Sequence, residues 1–527
     1  MARDSIRGSF FLFLGMTSNR IILALTSVFV ARLLGPKDYG LYTVILVVPS
    51  FLIAFSDLGI SPAITNFSAR LHIEGNDRKV AYLIKTGILF KLIFTTTISI
   101  CLLFISEGIA THIINRPGLG YLIRITIIYL LGGAILESVN SAFISLDKTE
   151  KSSILMNVRA IVKAVASILL IIFGLGVTGA IIGTGLGVLF TAASGAIILL
   201  FFTCHELENN SEQSENFNLS QGLKELLYFG APLYLSALIV GFQVQIRGVI
   251  LAFLTSDFSI GNYKTALNLT EIIVLFASPI MRSLFPAFSK LNIKKDRNYI
   301  EKMFKLSVKY TSLAIIPVSI AIAILSKNLV YILYGLQYQT APTYLSFYMI
   351  TFLCTAIGMY VIEALFNGQG ETGTTLKINL LNLAISIPLA LILIPLYDVL
   401  GLISSILASQ LVSTCYGLYQ VYHKYQISIE YFSSLKIAVT SLLSVLPLYI
   451  LFKSEYFNNT ILNIALGGTL YVMSFLLLAP MLGAINNEDI DNFEKFFNEL
   501  PIIYPVLRYI LILERKVIKL NIIPINY

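Results

Sequence analysis

An all-α integral membrane fold, with about fourteen transmembrane helices forming two six-helix bundles related by an internal repeat plus a C-terminal helix pair, follows from three observations. Apolar residues make up 56% and charged residues only 13% of the 527-residue chain, which leaves too little polar surface for a water-soluble protein of this size. Long runs without charge recur from end to end. The chain also echoes itself after about 220 positions: Gly40, Leu41 and Tyr42 answer to Gly261, Asn262 and Tyr263, and Pro62 and Ala63 answer to Pro286 and Ala287.

Taken in order, stretches of roughly 20 apolar residues place the first span at about residues 9–33, where Thr17, Arg20 and Ser27 share a face, and the second at about 41–63, which includes Asp57. The third, at about 81–106, carries Lys91, and the fourth, at about 119–143, carries Arg124 and Glu137, the latter on a face with Gly133, Asn140 and Ser141. In the fifth, at about 154–174, Arg159 and Lys163 lie one turn apart; Arg159 is near enough to the helix end to reach the headgroups, and Lys163 is deeper. Gly174, Gly176 and Gly179 match the GxGxxG dinucleotide pattern but lack the preceding strand that it requires, so they read as a tight turn. The sixth span, at about 178–203, then repeats Gly179, Gly183 and Gly187 every fourth residue, a spacing that admits a close neighbouring helix.

Residues 1–204 thus form an N-terminal bundle, and the acid- and amide-rich stretch 205–221 a flexible cytoplasmic linker. Residues 222–425 form the second bundle. Its seventh span, at about 226–252, aligns Ser236, Gln243 and Arg247; its eighth, at about 264–288, aligns Lys264, Asn268, Glu271, Ser278 and Arg282 within about 40° of one line. Shifted back by the repeat, that stripe falls on Thr43, Val47, Ser50, Asp57 and Ser61. Spans nine to twelve, at about 304–326, 343–366, 376–396 and 400–423, add Lys309 and Glu363. The pair at about 435–452 and 460–483 falls outside the repeat, so 426–484 reads as an addition, and 485–527 as an amphipathic cytoplasmic tail along the inner membrane face.

A charge at the centre of a span costs about 2.5–3.5 kcal/mol, so aligned polar stripes point to a hydrated cavity between the bundles rather than to lipid. Lysines and arginines gather in alternate loops, at Arg70, Arg78, Lys79 and Lys85, at Lys148 and Lys151, and at Lys290 to Lys305, which orients both termini to the cytoplasm. The same bias accounts for the net charge of +8, and no nucleic-acid partner is expected. Cys101, Cys204, Cys354 and Cys415 are too dispersed for a disulfide framework or metal site. No loop is long enough to hold a catalytic domain, so neither catalytic residues nor a cofactor is expected.

The run Ala31 to Leu71, the two six-helix halves and the final helix pair resemble the polysaccharide transporters, including O-antigen flippases, of the multidrug/oligosaccharidyl-lipid/polysaccharide exporter superfamily. The resemblance covers about residues 5–480 and is strongest over the first two helices. It implies a multi-pass cell-membrane flippase for a lipid-linked oligosaccharide, working by alternating access of two bundles. On that expectation Arg20, Arg247 and Lys163 hold the anionic carrier headgroup, and Gln243, Asn268 and Arg282 complete the substrate site. Asp57, Glu137, Glu271 and Glu363 balance charge or bind a coupling proton or sodium ion. Membrane lipids and glycosyltransferases of the same pathway are the expected partners. Two departures from the family pattern bear on coupling: Ile246 stands where many polysaccharide transporters have an acid before the arginine, and the first helix lacks an embedded acid. The alternatives are a cation-coupled exporter of small amphiphiles and, from another class, a membrane enzyme acting on lipid-linked sugars.

Overall fold

The computed structural model describes residues 2–209, 219–293, 295–428, 430–448, 460–498 and 504–519, and among these there is no strand. Part of the expected linker, 210–218, lies outside the described residues, as do the side chains of Ser236 and Arg282. The helices are α1 (Ala2–Ser56), α2 (Ile60–Ile73), α3 (Asp77–Gly108), α4 (Gly120–Ile125), α5 (Ile127–Ser145), α6 (Thr149–Leu170), α7 (Gly176–Ile197), α8 (Cys204–Asn209), α9 (Leu219–Leu254) and α10 (Asp257–Ser289). They continue as α11 (Arg297–Tyr334), α12 (Ala341–Met349), α13 (Met359–Gly368), α14 (Thr372–Tyr397), α15 (Val399–Tyr425), α16 (Tyr431–Leu443), α17 (Thr460–Met481), α18 (Asn487–Asn498) and α19 (Tyr504–Lys519).

Among the described residues nine helical stretches are long and apolar enough to cross a membrane, or ten if the bent pair ending in α13 counts as one span. The number is lower than fourteen partly because adjacent spans run on into each other. In α1, Gly35 takes φ 75° before Pro36, which lacks an N–H, so the expected first two spans become one kinked helix. The fifth and sixth meet at Gly174 and Gly176, which turn at φ 89° and 49°. Beyond that turn, a Cβ on Gly179, Gly183 or Gly187 would press on Leu170, Ser167 or Lys163 of α6. The GxGxxG string is therefore a turn and the start of a helix-packing face.

One expected span is broken. The second, placed at 41–63, stops at Ser56 and restarts at Ile60, with Leu58 at φ 47° and Gly59 at φ 82°. Asp57 stabilises the new N-terminus by accepting from the Ser61 amide at 3.3 Å and the Ser61 hydroxyl at 2.6 Å. The tenth span bends by 47° where Gly358 adopts φ 84° between Ile357 and α13.

Packing divides the chain into two compact units, Met1–Lys264 and Thr265–Tyr527. That division is by contact, whereas the one expected from sequence is by repeat; α9, which opens the second repeat, packs in the first unit against α1, α2 and α3. The first unit's core joins Ile60, Ile64, Leu83, Ile84, Phe143 and Leu199. In the second unit, Phe288, Phe304, Val361 and Phe366 form one cluster, and Ile316, Ile320, Tyr471, Phe475 and Leu511 form another that includes the tail. Large apolar side chains such as Phe104, Phe173 and Phe201 point outward, as they do where the surrounding solvent is lipid.

A candidate transport site built on a buried lysine

Within the first unit, the break after Ser56 brings the Asp57 carboxylate to Lys91 of α3, whose side chain is completely buried. An ammonium held there cannot be hydrated, so its neighbours must supply charge and acceptors. They do so from three elements. The Lys91 ammonium pairs with Asp57 and with Glu137 Oε2 at 3.7 Å, and donates to Ser61 Oγ at 2.8 Å and the Ala134 carbonyl at 3.5 Å. Glu137, on α5, is 48% exposed, so the cluster is sealed on the lysine side and open on the glutamate side.

It opens onto a cavity of about 180 Å³ lined by Phe51, Phe55, Asp57, Glu137, Tyr234 and Phe242, among others. Phe51 stacks on Phe55 at 5.9 Å and meets Phe242 at 6.1 Å, and the Tyr234 hydroxyl donates to the Phe55 carbonyl at 3.0 Å. The site thus sets one amine and two carboxyl groups beside an aromatic wall.

Backbone contacts hold this unit at both ends of the second half of α1. Near Asp57, Gly59 and Gly230 approach so closely that a Cβ on either would strike the other's carbonyl. About 25 Å away along the helix, a Cβ on Gly40 would strike the Asp257 carbonyl and one on Gly261 the Pro36 carbonyl. These are the very residues paired by the repeat, and they cross reciprocally. Arg116 fastens the same end, with Nε to Asp257 Oδ1 at 2.9 Å and Nη2 to the Thr255 carbonyl at 2.7 Å.

The second unit holds a different polar site. Glu363 of α13 lines a small cavity of about 60 Å³ with Asn379, Asn382, Gln410, Ser413 and Thr414, from α14 and α15. Among the described residues no cation pairs with it. The lining supplies neutral amide and hydroxyl groups around one carboxylate.

Of the residues singled out from sequence, the structure therefore brings Asp57 and Glu137 together on Lys91 and puts Glu363 in its own cavity. Gln243 and Arg247 are half-buried on α9, flanking Gln245, which lines the first cavity. Arg20 and Lys163, also half-buried, are not among the lining residues. On the second-unit portion of α10, Asn268 is half-buried and Glu271 exposed; the Arg282 side chain lies outside the described set. Sequence reasoning counted Lys91 among the buried charges but gave it no role, and it missed Tyr234 and the three phenylalanines. The available signal was a lysine in mid-span, which only a partner can stabilise.

A model of the family described as "Polysaccharide biosynthesis protein" matches residues 5–292, more than half of the chain. The chain belongs to that family. Among similar sequences, the chain is 22% identical over 487 residues to an uncharacterised membrane protein of Methanocaldococcus jannaschii, covering 86% of this chain and 91% of that one. It is 25% identical to the multidrug export protein MepA of Staphylococcus aureus, with 46% of this chain and 53% of that one aligned, so it spans about half of that relative. Over a shorter stretch, 19% of this chain and 20% of the relative, it is 29% identical to a probable low-salt glycan biosynthesis flippase, Agl15, of Haloferax volcanii. In fold, this member of the family is similar to the lipid II flippase MurJ in an inward closed conformation, with a TM-score of 0.73 at 16% identity over 90% of this chain and 98% of that chain. It is also similar to an inward-facing multidrug resistance transporter of the MOP superfamily, with a TM-score of 0.61 at 16% identity over 79% and 98%. The chain is thus a multi-pass membrane protein with the fold of that superfamily.

Proposed function

We propose that the protein is a flippase that moves an oligosaccharide linked to a polyprenyl phosphate or pyrophosphate from the cytoplasmic to the outer leaflet of the cell membrane, for assembly of a cell-surface polysaccharide or glycoprotein. The observation that supports this reading most is the family match over residues 5–292, which spans the helices that build the Asp57, Lys91 and Glu137 site. The names of the Haloferax relative and of the lipid II flippase agree with it.

A phosphorylated carrier and its glycan cannot cross hydrocarbon unaided. In this reading Arg20, Arg247 and Lys163 receive the anionic headgroup while Gln243, Asn268 and Arg282 meet the glycan, and the two bundles open alternately to either side with both termini in the cytoplasm. Glu271 balances charge along the path. Asp57 and Glu137 neutralise Lys91, and Glu363, with its neutral oxygen-bearing neighbours, takes the coupling proton or sodium ion. Glycosyltransferases of the same pathway supply the substrate. Cells lacking the protein should accumulate the lipid-linked intermediate with unchanged drug tolerance; normal export and no accumulation would overturn the proposal.

A second reading, export of a small amphiphilic cation, draws on the wall of Phe51, Phe55, Tyr234 and Phe242 beside Asp57 and Glu137, since aromatic faces suit cation–π contact. The MepA likeness points the same way. Drug sensitivity on deletion, without accumulated glycan intermediates, would favour it.

A further inference from the structure

The C-terminal helix α19 has two unlike faces. At 100° per residue, Leu511, Glu514 and Ile518 fall on one half and Arg508, Tyr509, Ile512, Leu513 and Lys516 on the other. The first half is packed: Leu511 and Ile518 join the cluster of Tyr471, Phe475 and Ala479 from α17, the last membrane-spanning helix, and Glu514 is buried. The second half is open, with Tyr509 78% exposed and Ile512 and Leu513 more than 40% exposed.

Charge on the tail is sorted in the same way. Glu514, the only acid of α19, faces inward. The acids of α18 are engaged elsewhere: Glu488 pairs with Lys302, Asp489 with Lys309 at 2.5 Å, and Asp491 and Glu494 with Arg515 at 2.5 and 2.6 Å. Arg508 and Lys516 have no acidic partner among the described residues. The open face therefore combines an aromatic ring, two aliphatic side chains and two unneutralised cations. Its position is fixed beside the end of a membrane span, since α18 begins only a few residues after α17 stops at Met481.

From this placement we infer that α19 lies on the bilayer surface and binds anionic lipid headgroups through Arg508 and Lys516, with Tyr509, Ile512 and Leu513 inserted at the acyl boundary. The cationic and apolar residues match the two layers of an anionic leaflet, headgroups above hydrocarbon. Inward contacts fasten the helix to the second unit, so the surface is held at the membrane and not merely attracted to it.

The chain contains no tryptophan, so Tyr509→Trp places a single, selectively excited tryptophan on the open face of the helix, where Tyr509 is 78% exposed. The full-length variant is reconstituted into nanodiscs of neutral lipid alone or with anionic lipid, each with and without brominated acyl chains. Bromolipid quenching is expected in both and about twofold stronger with anionic lipid, the excess disappearing when Arg508→Gln and Lys516→Gln are added. Quenching by aqueous iodide but not by bromolipid would overturn the inference. So would bromolipid quenching that ignores both lipid charge and the two cations.

Discussion

Glu137 and Glu363 stand on helices that the repeat relates, the fourth and tenth spans, yet their surroundings differ in kind. Glu137 faces a lysine that the chain itself provides, whereas Glu363 faces amides and hydroxyls and no cation among the described residues. The repeat offset of about 220 carries Lys91 to the neighbourhood of Thr311 and Ser312, both buried and uncharged. Lys309, a turn away, is committed to Asp489 of the tail. The duplicated framework has thus kept one acid on each of these two helices but not the acid at the break, since Asp57 falls on Ser278, and it has redistributed its cations. In the first unit a buried lysine already faces the acids; in the second no cation among the described residues faces Glu363.

The sharpest way to break this comparison is to remove the buried lysine. Lys91→Met leaves Asp57 and Glu137 facing each other without it, and loss of one partner of a buried pair costs about 3–5 kcal/mol. Folded protein in detergent should fall steeply, as measured by thermal unfolding. Adding Asp57→Asn and Glu137→Gln should recover much of the loss, because what destabilises is the uncompensated charge. A Lys91→Met single variant as stable as the parent would show that the pairing does not hold the site.

The second unit's buried acid, Glu514, gives the next largest effect. Burial, helped by the nearby Asp489 carboxylate, pushes the Glu514 carboxyl from 4.5 up to about 7. Lys309 from α11 pairs with Asp489 in this cluster, and Asn492 donates to the Tyr310 hydroxyl at its edge. Because the folded value is the higher one, the stability that Glu514 contributes is fully present below pH 4.5, is lost as pH rises from 4.5 to about 7, and changes no further above that. Glu514→Gln should flatten this dependence and stabilise the protein at pH 8 by about 3 kcal/mol, since each pKa unit is worth about 1.4 kcal/mol. Unfolding curves collected from pH 4 to 8 in parent and variant test this; parallel curves would refute it.

A third experiment concerns how firmly the first unit's site is framed. Arg116 holds Asp257 with two nitrogens, Nε and Nη2, each at 2.9 Å, and both residues are mostly buried. Arg116→Ala should cost about 2 kcal/mol, in the range for hydrogen bonds to charged groups. It should also loosen the Gly40–Gly261 crossing. Cysteine accessibility at residue 256 reports that loosening, and an unchanged labelling rate would mean that the glycine contact suffices alone.

Much of this was legible in the chain because it is written locally. Apolar runs gave the helices, and glycines four apart gave the α6–α7 packing, since period and small size act over a turn or two. The break at Asp57 was half legible: an aspartate and a glycine within three residues are capping and turn residues, but a hydrophobic run surrounds them. What could not be read was who neutralises Lys91. Its partners come from the break at Asp57 and Ser61 and from α5, more than 70 positions apart in sequence, and no spacing rule links a mid-span lysine to acids two helices away. Nor did the repeat foretell that α9 packs with the first unit, because contact follows surface complementarity and not ancestry of the segments.

The smallest effect on stability, and the most specific on function, is expected at Glu363. Replacing it by glutamine keeps size and hydrogen bonding beside Asn379, Asn382 and Ser413 while removing the one charge in the cavity. No partner cation is stranded, so thermal unfolding should be unchanged, in contrast to changes at Lys91. In proteoliposomes under an imposed proton or sodium gradient, however, transport driven by the gradient should drop about tenfold, equivalent to about 1.4 kcal/mol of lost coupling, while exchange without a gradient persists. Gradient-driven transport at the parental rate would separate Glu363 from ion coupling. Coupling would then have to reside at Glu137, where an ion must compete with a lysine already in place.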